Sequence, residues 1–161
     1  MSRIKLLTSQ MDNRYDIEHW FVPLTQALQG LSAEQAAWRP TAGVHSIWAL
    51  VNHLTFWNDH ELRRLRGDNV PADAIDNDST FEPDTGDEHA WQQALVALHT
   101  ADAELRAVVA AMADADLDQV RGLNGTTWGE SLGDLVMHDA HHTGQILYIR
   151  KLQGSWPLQR P

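Results

Sequence analysis

Four long segments of this chain carry apolar residues at helical spacing, and nothing alternates at period two for long enough to make a strand. The pattern predicts an all-α fold. The first segment runs from about Ile4 to Gln29 and stops at Gly30, with Pro23 inside it as an expected kink. Ser32-Ala33-Glu34-Gln35 reads as a capping box that opens a short helical turn, ended by Arg39-Pro40. The second long helix starts after Ser46 as N-cap and continues to about Arg66, stopped by Gly67 and Pro71. Residues 67–86 hold Pro, Gly, Asp, Asn and Ser without a period and read as an exposed loop. The third helix spans about Glu88 to Met112, followed by an irregular stretch through Leu123-Asn124-Gly125-Thr126. Thr127-Trp128-Gly129-Glu130 is a second capping box, and the fourth helix runs from it to about Gln153, before Gly154 and Pro157. Helices of roughly 20–25 residues, each about 30–37 Å long, suit an antiparallel four-helix bundle. With 161 residues, a single domain covering 1–161 with one core is the economical reading.

The chain has no cysteine, which excludes disulfides, Cys-ligated zinc, iron–sulfur clusters and a protein thiol nucleophile. Twelve Lys and Arg against 22 Asp and Glu give a formal net charge of −10. Such a surface repels phosphate backbones, so nucleic acid is not expected as a partner. The Arg150-Lys151 step near the end of the fourth helix has an ordinary helix-dipole explanation. No stretch approaches the roughly 18 apolar residues of a membrane span, and Met1-Ser2-Arg3-Ile4-Lys5 leads into polar residues rather than a signal peptide's apolar region. The expectation is a cytoplasmic protein without a membrane partner.

Nine histidines are more than a chain of this size usually carries, and they are not scattered. On the fourth helix His142 lies roughly 40° from His138, one turn along the same face. An i, i+4 pair is a standard way for one helix to present two imidazoles to one metal ion. His141 lies about 60° to the other side of His138, so spacing alone leaves a His138/His141 pair open. Gln145 and Asp134 share this face, and a core-facing stripe of such residues is costly to bury unless something satisfies it. Gly144 beside the pair predicts close helix–helix contact and burial at that level. On the second helix His53 shares an apolar face with Ala49, Leu50, Phe56 and Trp57. A lone histidine there is usually a satisfied core residue, but with a pair on another helix it completes a three-nitrogen set. His60 is two turns further on, about 10 Å by helical rise, too far to share an ion with His53. His45 precedes the helix and could line an entrance, while His19, His89 and His99 read as surface or packing residues. Trp48, Trp57, Trp128 and Trp156 read as core packing.

The stretches HSIWALVNHLTFW (His45–Trp57) and HDAHHTGQILYIRKLQG (His138–Gly154) resemble the DinB/YfiT-like superfamily of bacterial four-helix proteins. So do Trp38-Arg39-Pro40 and the turn Gly125-Thr126-Thr127-Trp128-Gly129. The resemblance implies a bundle with one long crossover, commonly a homodimer. It also implies a nickel or zinc ion held by His53, His138 and His142, which selects His142 over His141. Members with known activities include S-transferases that use low-molecular-weight thiols such as bacillithiol, and mycothiol- or glutathione-dependent isomerases.

The expected function is therefore a divalent-metal-dependent enzyme acting on small molecules, with a metal-activated thiolate as nucleophile. Hydrolysis by metal-bound hydroxide is the alternative chemistry. It needs a general base, for which Asp134 and His60 are the catalytic candidates, although Asp134 could equally orient a ligand imidazole. A non-catalytic metal-binding stress-response bundle is the rival from another class.

Overall fold

Ser2, Ser46, Asp87 and Thr127 each start a long helix by accepting a backbone N–H from the residue three positions on. The computed structural model describes residues 2–68, 70, 75–82, 85–121 and 125–157. The helices so begun are α1 (Arg3–Tyr15), α4 (Ile47–Leu65), α5 (Glu88–Ala110) and α6 (Trp128–Leu152). Between the first two lie short helices α2 (Leu24–Leu28) and α3 (Ala33–Ala37). Ser32 and Gln35 form the expected capping box of α3, and Thr127 and Glu130 that of α6. Among the described residues there is no strand, only an isolated bridge between Val120 and Thr127.

The first segment is not one kinked helix. It breaks after Tyr15, and Pro23 serves as N-cap of the separate α2. A proline has no N–H to lose at a helix start, so the position that disfavours a helix interior suits a beginning. Of the expected exposed loop, residues 69, 71–74, 83 and 84 lie outside the described residues, and most of the others are exposed. Residues 77–81 form a 3₁₀ turn packed on α4, with Thr80 and Phe81 buried.

Each of α1 and α4 packs against both α5 and α6, so the long helices form a ring in the order α1–α5–α4–α6. Residues 16–46 are the long crossover between diagonal members α1 and α4. They carry α2 against α6 and α3 against α4 and α5. Glu88 at the start of α5 accepts from the Ala33 amide, and the Trp91 indole donates to the Leu31 carbonyl, which ties this crossover down. Arg150 is buried rather than a surface dipole partner. It donates to the carbonyls of Ala27 and Gln29 at 2.6 and 3.0 Å, satisfying the end of α2. Among the described residues no helix is long and apolar enough to cross a membrane.

The apolar interior is split in two. One cluster includes Leu24, Ile47, Leu54, Trp91, Leu98 and Ile146, and the other Met11, Leu62, Leu105, Val109, Leu132 and Leu135. Between them each long helix contributes a residue to one buried polar layer: Arg14, Asn58, Asp102 and Asp139. Arg14 pairs with Asp102 and with Asp139, both at 2.9 Å, and donates to Asn58 at 3.2 Å. The three charged side chains are at most 1% exposed. Arg106 adds a further pair to Asp102 at 2.8 Å.

Removing one partner of a buried ion pair leaves a charge without compensation and costs about 3–5 kcal/mol. Arg14→Met is expected to lower unfolding stability by about that amount in urea titrations. A loss below about 1 kcal/mol would show that the paired layer is not what secures the bundle.

Candidate metal centre

His53 on α4 and His138 and His142 on α6 converge at their Nε2 atoms. The Nε2 of His138 lies 2.9 Å from that of His53 and 3.1 Å from that of His142. Each ring is fixed from behind through Nδ1. Thr80 gives its one hydroxyl proton to the Asn77 carbonyl at 2.6 Å, so it accepts from the His53 Nδ1–H, also at 2.6 Å. Asp139 accepts from His138 Nδ1–H at 3.1 Å, and the Gln145 side-chain oxygen accepts from His142 Nδ1–H at 2.7 Å. With all three protons on Nδ1, every Nε2 presents a lone pair.

With the His138 lone pair about 3 Å from each of the other two, and all three ligand atoms within 4.8 Å, the set repels itself unless a cation lies between. Two imidazole nitrogens each about 2.0–2.1 Å from one ion stand roughly 3.0–3.4 Å apart at common coordination angles, so the spacing suits a divalent ion. The Nδ1 acceptors match the outer partners that ligating histidines ordinarily have. Burial favours the neutral form of His53 and His142, the form a ligand needs. His53 is pushed down to about 3 by burial, reinforced by His142 and His138. His142 is lowered for the same leading reason. Asp139 is fully buried, which pushes its carboxyl up, yet Arg14, His138 and Asn58 together hold it below the usual range.

The rest of the polar stripe on α6 faces outward. His141, Gln145 and Asp134 are exposed, and His141 accepts from the Gln145 side-chain amide at 3.1 Å. Gly144 is exposed as well, and a Cβ there would meet nothing within 4 Å. The expected close helix contact at Gly144 is therefore absent, because the neighbouring helices cover the opposite side of α6. Asp134 lines a cleft of about 290 Å³ together with Trp57, Glu61, Asn77, Ser131 and His138. The carboxylate on a histidine ring is that of Asp139, not Asp134. His60 is 4% exposed between Phe56 and Trp57, and its nitrogens make no hydrogen bond among the described residues. It is not part of that cleft's lining. Glu61 beside it accepts from Arg121 at 2.6 Å and from Ser131 at 3.2 Å.

Three contributors escaped the sequence reading: Thr80, Phe81 and Asp139. Phe81 stacks on His53 at 4.0 Å and 7°, and on its other face His45 stacks at 3.8 Å and 9°. A lone aromatic residue, Phe81, beside Thr80 in a loop rich in Asp, Asn and Pro was the available signal for the first two. For Asp139, the signal was a carboxylate on the apolar side of a helix next to a histidine.

An all-α chain whose two neighbouring helices aim three imidazoles at one point is a bundle protein with a three-histidine centre. It belongs to the DinB superfamily, which residues 23–146 match, a span containing all three histidines. No curated protein and no solved structure matches the chain.

Two measurements probe the centre. Thr80→Val keeps the shape but removes the acceptor behind His53, and a lost outer partner typically weakens metal affinity about 10–100-fold. Chelator competition should read that loss, with the helical spectrum intact. In the metal-free chain the depressed His53 value means that the unfolded state binds the extra proton between pH 6.5 and about 3. Stability is then full above 6.5 and falls as pH drops through that window. His142 and His60, also lowered, act with the same sign. The urea midpoint should fall steadily from pH 7 to pH 4.5, and a flat profile would contradict it.

Proposed function

We propose that the chain is a divalent-metal-dependent enzyme that transfers a low-molecular-weight thiol onto a small electrophilic substrate, with His53, His138 and His142 as the ligands. The observation that carries this reading is the convergence of three Nε2 lone pairs whose Nδ1 protons are all engaged elsewhere. Three protein ligands leave coordination positions for an exogenous group, whereas structural zinc sites usually fill all four. Nickel and zinc both suit neutral imidazoles. When bound, the ion supplies the Lewis acidity that keeps a thiol ionised near neutral pH.

The chain's own residues do the rest. It has no cysteine, so the sulfur comes from a co-substrate. Thr80, Asp139 and Gln145 hold the three rings in the tautomer that presents Nε2. We assign Asp134, which lines the cleft beside His138, as acceptor of the thiol proton. The sulfur electron pair then forms the bond to carbon as the leaving group departs with its own pair. Trp57, half-buried at the same cleft, limits water access.

Metal-loaded protein incubated with a thiol panel and an alkylating electrophile should give thioether only when both are present. His53→Ala and His142→Ala should lose both metal and turnover. Turnover without any thiol would replace the transferase reading with a hydrolase.

A further inference from the structure

The three histidines sit where α4 and α6 face each other, with a separate cleft further along the helix pair on each side. One cleft uses Trp57 and Glu61 of α4 with Ser131 to His138 of α6. The other uses Leu50 of α4 with His141 to Ile149 of α6. Numbers rise on one helix as they fall on the other, so the two clefts lie on either side of the level of His53, His138 and His142 along this helix pair.

Their chemistry differs. The first holds two carboxylates, Glu61 and Asp134. The second, about 580 Å³, has no acidic, lysine or arginine side chain among the described residues that line it. Val44, Leu50, Tyr148 and Ile149 give it apolar walls, and the ring of His45, held flat against Phe81, adds an aromatic one. Tyr148 is 65% exposed and Val44 38%, so the fold itself leaves this surface uncovered. Gly144 keeps the floor open, since nothing lies within 4 Å of where its Cβ would be. Gln145 lines the cleft while accepting from His142, which puts an occupant one side chain from the centre.

We propose that this cleft is the subsite for an uncharged aromatic group carried by the electrophilic substrate. The volume lies in the roughly 300–1,000 Å³ range of small-molecule sites. Flat aromatic walls favour a ring, and a chain of net charge −10 disfavours an anion. The assignment of the occupant as substrate rests on the transferase reading above, but its binding can be tested separately.

Metal-free protein is titrated with N-phenyl-1-naphthylamine, an uncharged fluorescent ring probe, and with 1-anilinonaphthalene-8-sulfonate, the same rings bearing a negative charge. The neutral probe should bind one per chain, at least ten-fold tighter than the anion. Gly144→Leu, which fills the floor at a position favourable to helix, and Tyr148→Asp should each weaken it at least ten-fold. Gly133→Leu, at an open position elsewhere on α6, should leave it unchanged. Equal affinity for both probes, or full affinity in Gly144→Leu and Tyr148→Asp, overturns the proposal. So does light scattering that shows a dimer split by Gly144→Leu and unable to bind either probe, since the cleft would then be a contact between copies. None of these readouts uses thiol turnover, so failure here and failure of the transferase reading are separable.

Discussion

Arg14 reaches the middle of the bundle where no water can solvate it. Its charge is tolerated there because Asp102 and Asp139 meet it at 2.9 Å from two other helices, and Asn58 from a fourth. The polar layer lies between two apolar clusters, so sliding any long helix by one turn would press a charge or an amide into an apolar layer. Apolar packing holds the helices together, but on its own it tolerates such slips. The ionic layer does not, and it therefore fixes the heights at which the helices meet.

Those heights also set the site. Asp139 spends one carboxylate oxygen on Arg14 and Asn58 and the other on His138. The guanidinium that registers the bundle is thus two contacts away from a candidate ligand, and the orientation of the His138 ring is inherited from the fold. His53 is fixed differently, by a hydroxyl from a 3₁₀ turn outside the helices. His142 depends on its own helix, through Gln145. Three imidazoles are aimed by three independent devices, with none relying on another's support.

Much of this is legible in the sequence itself. Caps at Ser46 and Thr127 located α4 and α6 to within a residue, because capping chemistry is local. The spacing of His138 and His142 followed from helix geometry. Spacing could not choose between His141 and His142, because the two differ in burial, which neighbouring helices decide. Nor could the periodic run through Ile4 to Gln29 reveal its break, since Pro23 is compatible with either a kink or a start. The burial of Thr80 and Phe81 within the loop after α4 is hidden for a related reason. The loop's composition is that of solvated chain, and only the tertiary contact of Thr80 and Phe81 with His53 makes the 3₁₀ turn part of the interior. Asp139 was hidden because its partner, Arg14, lies on another helix, far away in the sequence.

His53 and His138 are 85 positions apart in a chain that has no cysteine. An ion shared between them would therefore act as a cross-link closing a long loop. By the chain-entropy argument used for disulfides, a permanent tie of that span removes roughly 4–5 kcal/mol of freedom from the unfolded state. This tie is reversible, so its strength would follow the supply of free metal. In such a protein, metal availability would set the lifetime of the folded chain as well as its chemistry.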